Sequence, residues 1–300
     1  MEFENVIYGK NILKKYPNFE LNVPELRIPK GFATAFIGEN GAGKTTLIDI
    51  LAGINLTYKG ELTYFGKYSD KDREKDPSVK NRIGYTGTGN YFLPQWTLKQ
   101  IKEVQQLLFD SFDPDKYDDI CDKLAITKKD NIDAKKNVNN LSDGNKTKLM
   151  LAGVLARETD MLLLDEPASP LDPLMRDKLC EMIRDYMYER EGERSVLFST
   201  HNIADMEAVT DYAIIVEHGN IVEQGFVEEL KEKYIVVNGE LSDYDAASKV
   251  LYSISKNQFG FTGIALTSDM DKLAGVNVKY ETPTLTQIVV AIMKQNTSLA

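Results

Sequence analysis

The chain has 300 residues, 42% of them hydrophobic, with a formal net charge of −10 and a pI near 4.9. That is enough apolar material for one large core, or one core and a small appendage, while the acidic balance repels phosphate backbones and argues against nucleic acid as a partner. No apolar run approaches the ~18 residues of a bilayer span, and the opening MEFENVIYGK has no basic stretch leading into an apolar one, so neither a span nor a signal peptide is expected.

In chain order, residues 19–28 alternate in part (Phe19, Leu21, Val23, then Leu26, Ile28), and residues 59–65 follow a Lys59-Gly60 turn. Both read as antiparallel strands with one wet face. Residues 31–37, 161–164, 196–199 and 213–216 are short, nearly continuous apolar runs, which suits parallel strands covered on both sides. The charge-crowded stretch 69–81 reads as a solvated loop. Between about 97 and 157 the pattern is helical, first with Leu98, Ile101, Val104, Leu107 and Leu108, then around 117–124 after Asp113-Pro114. Beyond Leu230 the character changes: 234–237 resembles a strand, 246–255 a helix, and Leu285, Ile288, Val289 and Ile292 fall on one helical face. The expected architecture is therefore α/β, with a mixed, mainly parallel sheet, an antiparallel N-terminal β subdomain and an inserted helical subdomain at about 89–157, together spanning 1–230. A small α+β accessory domain follows at 231–300. Cys121 and Cys180 stand alone without metal-type spacing, as expected in a reducing compartment, which places the chain in the cytoplasm.

Gly38-Glu39-Asn40-Gly41-Ala42-Gly43-Lys44-Thr45-Thr46 fits the phosphate-loop pattern G-x-x-x-x-G-K-[ST], with an apolar strand running in and a helical pattern (Leu47, Ile50, Leu51) running out. Glycine lets consecutive backbone N–H groups converge on a phosphate, and the following helix directs its positive end to the same point. Lys44 supplies a mobile charge for β- and γ-phosphates, and the Thr45 hydroxyl can coordinate Mg²⁺. Downstream, the apolar run 161–164 ends in Asp165-Glu166. Neighbouring side chains on a strand point to opposite sides, so the two acids divide the work: Asp165 for the metal, Glu166 for the attacking water. His201 follows the run 196–199 and is the candidate γ-phosphate contact, because ligands gather at the carboxyl ends of parallel strands. His218, in a turn before Gly219, is given no role.

Leu141-Ser142-Asp143-Gly144-Asn145-Lys146 opens an apolar helix and lies 23 residues ahead of Asp165, counted from Ser142. Alone, it is a helix N-cap. In this order and spacing it resembles the signature motif of the ATP-binding cassette (ABC) ATPases, and the resemblance covers about residues 1–230. Tyr16, 28 residues before Lys44, stands where that family places an adenine-stacking aromatic. Ser169-Pro170-Leu171-Asp172 resembles its D-loop, and Thr200-His201 its switch histidine. The resemblance implies ATP held by Tyr16 and by residues 40–46 (Asn40, Gly41, Ala42, Gly43, Lys44, Thr45, Thr46), with Mg²⁺ at Thr45 and Asp165. It implies Glu166, His201 and Lys44 as the catalytic groups. It also implies a head-to-tail pair of cassettes, identical or different, in which Ser142 and the Gly144 N–H of one cap the nucleotide of the other.

The chain departs from the family pattern in two places. The signature carries Asp143 and Asn145 where L-S-G-G-Q is usual. A carboxylate ~8 Å from a phosphate charge costs about 2 kcal/mol at an effective dielectric of ~20, so the Asp143 side chain is expected to point away from the nucleotide. In the Q-loop position, Ile83-Gly84-Tyr85-Thr86-Gly87-Thr88 puts Thr88 where a glutamine is usual, leaving Thr88 as a candidate metal contact and Gln95 as the nearest later glutamine. Phe92 and Trp96 are weighed equally as core residues and as the lining of a groove for a membrane subunit. The segment Phe112-Asp113-Pro114-Asp115-Lys116-Tyr117 and the tail Thr284-Leu285-Thr286-Gln287-Ile288 are similar to bacterial exporters of bacitracin-type antibiotics, lantibiotics and peptide toxins. The implied function is an ATPase on the cytoplasmic face of a bacterial membrane, driving export of peptides, antibiotics or other amphipathic compounds through an integral permease subunit. The rival reading is a cytosolic ABC ATPase serving an assembly complex, such as iron–sulfur cluster formation. The extra segment 231–300 and the aromatic loop favour transport.

Overall fold

A computed structural model of the protein describes residues 3–89, 91–127, 132–133 and 135–297. The hairpin β1 (Asn5–Tyr16) and β2 (Phe19–Pro29) is followed by β3 (Ala33–Ile37) and α1 (Lys44–Ala52). Next come β4 (Lys59–Tyr64), β5 (Tyr68–Ser69), α2 (Asp70–Lys75), α3 (Pro77–Lys80) and β6 (Ile83–Thr86). Three helices follow, α4 (Leu98–Leu108), α5 (Pro114–Lys123) and α6 (Asp143–Leu155), before β7 (Met161–Leu164), α7 (Pro173–Tyr188) and β8 (Ser195–Thr200). β9 (Tyr212–Glu217), β10 (Asn220–Phe226) and α8 (Val227–Lys233) lead into β11 (Tyr234–Gly239), α9 (Tyr244–Ala247), β12 (Tyr252–Asn257), β13 (Gly260–Leu266), β14 (Val278–Glu281) and α10 (Leu285–Thr297).

Ten strands form one sheet in the order β5-β4-β1-β2-β10-β9-β3-β8-β7-β6. Strands β6, β7, β8, β3 and β9 are parallel, and the antiparallel N-terminal strands join them through the pair Asn220–Asn22. The continuous apolar runs are explained by two cores, one on each side of these strands. Along β3, Ala33, Ala35 and Ile37 enter the core under the helices, and Phe36 enters the core shared with α1 and the N-terminal strands. On β7, Leu162 and Leu164 take the first side, Met161 and Leu163 the second. Each fully buried large side chain of this kind contributes roughly 1.5–3 kcal/mol over leaving it in water.

The charged stretch 69–81 forms two short helices instead of a loop. Ser69 and Asp72 make a capping box at α2, and Asp76 caps α3. Arg73 is buried there: its guanidinium donates to the Ala52 carbonyl at 3.3 Å, placing a cation at the C-terminal end of α1. Residues 246–255 are not one helix. They divide between α9 and β12, because Tyr252 and Ser255 pair with Ile264 and Thr262 of β13. Along α4, Leu98 and Ile101 are buried, but Leu107 and Leu108 are exposed. Among the described residues no helix is long and apolar enough to cross a membrane.

The C-terminal segment has two characters. Strands β12-β13-β11-β14 form a second sheet over a small core of Val237, Ala247, Phe261, Ala265 and Leu273. α10 instead sends Leu285, Ile288, Val289 and Ile292 into the large core under the helices, while Ala291 packs on Val236 and Ile264 of the second sheet. The stripe read from the sequence therefore rests on the chain's own core. Glu207 fixes the start of this helix, accepting from the Leu285 N–H at 2.8 Å and the Thr286 hydroxyl at 2.7 Å.

Candidate functional site

The loop between β3 and α1 is shaped by backbone that only glycine adopts readily: φ is +86° at Gly41 and +105° at Gly43. Gly43 is also confined, since a Cβ there would lie 2.8 Å from Cζ of Phe19. Asn40, Ala42 and Thr46 lie along the same turn and first helical residues. Lys44 is only 5% exposed, and its ammonium donates to the Gly38 carbonyl at 2.7 Å and the Glu39 carbonyl at 3.2 Å.

Parallel strands β7 and β8 end at the same edge. Asp165 and Glu166 diverge just beyond the end of β7, where the backbone leaves strand geometry at Glu166. The Thr45 hydroxyl donates to Asp165 Oδ2 at 2.8 Å, and the Ser199 hydroxyl donates to Asp165 Oδ1 at 2.5 Å. Glu166 instead meets Lys44 Nζ at 3.2 Å and His201 Nδ1 at 2.8 Å. Its φ of +49° is sparsely populated by non-glycine residues and turns its carboxylate toward these partners. Ser199, which sequence reasoning left in an apolar strand, orients both acids: its oxygen also accepts the Glu166 N–H at 2.8 Å. The available signal was a hydroxyl inside a fully buried run next to His201.

Ser142 sits at the N-cap of α6 and accepts the Asn145 N–H at 3.3 Å. Gly144 is pressed against the turn before α7; a Cβ there would lie 2.7 Å from the Pro170 carbonyl oxygen. A cleft of about 420 Å³ brings Thr88, Asp143, Lys146, Glu166, Ser169 and His201 to one opening. The Asp143 carboxylate is 89% exposed and pairs with Lys146 at 3.0 Å. This i,i+3 counter-charge was visible in the spacing and went unread. Tyr16 lies apart from the cleft, at the end of β1. Its ring is 6.2 Å from that of Phe19, the residue that packs on Gly43, and it remains 42% exposed. Its hydroxyl accepts from Asn55 Nδ2 at 3.1 Å.

Behind the site, Asp49 of α1 accepts the Tyr85 hydroxyl at 2.8 Å, and Tyr85 and Tyr91 hydroxyls are 3.0 Å apart. Burial raises the pKa of Asp49, and the Tyr85 hydrogen bond opposes that rise. Burial together with these partners raises the Tyr85 hydroxyl. Phe92 is buried in the main core and Trp96 packs against it, so the structure assigns Phe92 to the core and Trp96 to its margin.

Three comparisons bear on this arrangement. The family described as ABC transporter matches residues 21–169. The phosphate import ATP-binding protein PstB 2 of Aliivibrio fischeri is 30% identical over 215 residues, covering 67% of this chain and 75% of that protein. The ABC transporter ATP-binding protein YtrB of Bacillus subtilis (strain 168) is 27% identical over 236 residues, covering 79% of this chain and 74% of that one. Among solved structures, the dimeric post-hydrolysis state of the ATP-binding cassette MJ0796 bound to ADP and Pi superposes with a TM-score of 0.63 at 19% identity, over 73% of this chain and 98% of that chain. At that identity the likeness concerns the fold.

Proposed function

The chain belongs to the ABC transporter ATP-binding family, an ATP-binding ATPase by descent, and from that premise we propose that it works as one of two paired cassettes driving a separate membrane permease. The observation that carries the reading is the meeting of Lys44, Thr45, Asp165, Glu166 and His201 at one sheet edge. Lys44 receives the β- and γ-phosphates and leaves Glu166 to do so. Glu166, released, orients and deprotonates the attacking water, with His201 holding its far oxygen and contacting the γ-phosphate. The hard-oxygen pair Thr45 and Asp165 fits Mg²⁺, which when bound neutralises phosphate charge. Thr88, on the same cleft, is the remaining candidate contact. Tyr16 offers an open ring for the adenine, and Ser142 with the Gly144 N–H caps the nucleotide of the partner cassette.

The transported cargo is proposed as peptides, antibiotics or other amphipathic compounds moved outward, on the exporter-like segment Phe112-Asp113-Pro114-Asp115-Lys116-Tyr117. The phosphate import relative shares the same cassette, so direction is the permease's to set. The test is affinity purification of the full chain from detergent-solubilised membranes. One integral membrane protein in a fixed ratio to two cassettes is the expected result. Recovery of a soluble assembly complex without any membrane protein would replace this reading with the assembly-ATPase alternative.

The Asp143–Lys146 pair makes a smaller prediction. With its charge already countered and its carboxylate in solvent, Asp143→Gly should change steady-state ATPase activity by less than about threefold, the scale of an exposed ion pair. Phosphate-release kinetics check this, and a tenfold change in either direction would contradict it.

A further inference from the structure

The loop after β6 borders the nucleotide cleft through Thr86, Gly87, Thr88 and Gly89, and among the described residues the side chains it brings there, Thr86 and Thr88, are short. Behind that loop stands a different connection. Asp49 lies on α1, the helix whose first residue is Lys44. Its carboxylate accepts the Tyr85 hydroxyl at 2.8 Å, and Tyr85 meets the Tyr91 hydroxyl at 3.0 Å. Each phenol has one proton. With Tyr85 donating to the carboxylate, Tyr91 must donate to Tyr85, so the chain of bonds has a direction: Tyr91 to Tyr85 to Asp49. Gly87 passes directly beneath it, because a Cβ there would lie 2.2 Å from both hydroxyl oxygens. The two phenols thus lie against the loop backbone at Gly87 and leave no room there for a side chain. On one side the Thr86 carbonyl accepts the Asp165 N–H at 2.8 Å. On the other, Tyr91 leads to buried Phe92 and to Trp96.

We propose that Asp49, Tyr85 and Tyr91 are positioning residues that couple the seating of α1 on the nucleotide to the loop reaching Trp96, in place of a long side chain extended from that loop into the site. The proposal rests on the ATPase reading above. A shift of α1 on phosphate binding either pulls the loop through these two bonds or breaks them, and both outcomes move the segment that precedes α4. Tyr91 is half exposed, so the chain ends at the surface and not in the core.

The protein holds its own reporter, because Trp96 is its only tryptophan. The experiment is Trp96 emission on titration with MgATP, alongside kcat and KM, for the full chain and for Tyr85→Phe, Asp49→Leu and Asp49→Asn. Tyr85→Phe removes one oxygen and keeps the ring. Tyr85→Phe and Asp49→Leu should abolish the emission change and lower kcat about tenfold, the effect of one well-placed hydrogen bond, with KM within about threefold of wild type. Asp49→Asn keeps an acceptor oxygen and should restore both readouts. Wild-type emission amplitude in Tyr85→Phe, or an Asp49→Asn protein as impaired as Asp49→Leu, would overturn the proposal. A wild-type protein that binds MgATP without any change in Trp96 emission would overturn it while leaving the ATPase reading standing; one that binds no MgATP would remove that reading itself.

Discussion

Glu166→Gln is expected to lower ATP turnover by about 10²- to 10⁴-fold, the range for loss of a general base, while ATP binding persists and two cassettes remain clamped around it. The substitution is nearly isosteric. The amide still meets His201, which lies 2.8 Å from one carboxylate oxygen, and the backbone N–H of residue 166 still donates to Ser199. What disappears is the charge facing Lys44 at 3.2 Å and the capacity to accept a proton. Without the carboxylate, Lys44 has no competing anion and is free for phosphate, so binding should hold or tighten. Phosphate release and size-exclusion chromatography in MgATP check both halves. More than a tenth of wild-type turnover, from a protein that stays monomeric in ATP, would refute the assignment and the paired-cassette reading with it.

Lys44→Ala should act on binding first. A hydrogen bond from a charged donor contributes about 1.5–3 kcal/mol, so affinity for ATP should fall roughly 10- to 150-fold. The loss also reaches the protein without nucleotide. The Gly38 and Glu39 carbonyls lose the ammonium that holds them, and Glu166 loses its cation. Thermal denaturation separates the two effects. Wild type should melt several degrees higher in saturating MgATP, because a ligand that binds only the native state stabilises it. The variant should melt slightly lower without nucleotide and gain little from it. An undiminished ATP-induced rise would show that Lys44 does not carry phosphate binding. Arginine should not restore it, because the planar fork does not fit a pocket built around a point charge between two carbonyls.

The parts of the molecule legible in the sequence were those with local causes. Strands β3, β7, β8 and β9 were visible because a strand covered on both faces is apolar at most positions. The phosphate loop was visible because its glycines answer to backbone geometry. Strand β1 was missed because its alternation is broken: the register against β4 shifts between Lys10 and Leu13, beside Asn11 at φ +50°. Arg73 looked like one more surface charge, since nothing near it in sequence marks the end of α1 as its partner. Ser199, Asp49 and Tyr85 escaped for the same reason. Ser199 and Asp49 belong to elements read from the sequence and Tyr85 to β6, which was not, but in each case the partner lies on another element, and a hydrogen bond across 34 or 36 residues leaves no periodicity to read. The second part of the stretch 246–255, from Tyr252, went to a strand because pairing with β13 outweighed local preference.

The last helix has a consequence for how sequence changes in this protein are interpreted. α10 is wedged between two bodies, with Leu285 and Ile288 in the wall of the ATPase core and Ala291 against the second sheet. Its first turn is latched by Glu207, six residues beyond His201. A lesion near residue 290 would accordingly present as a failing enzyme and not as a damaged appendage. A genetic screen that sorted alleles by distance along the chain would assign it to the wrong half of the molecule.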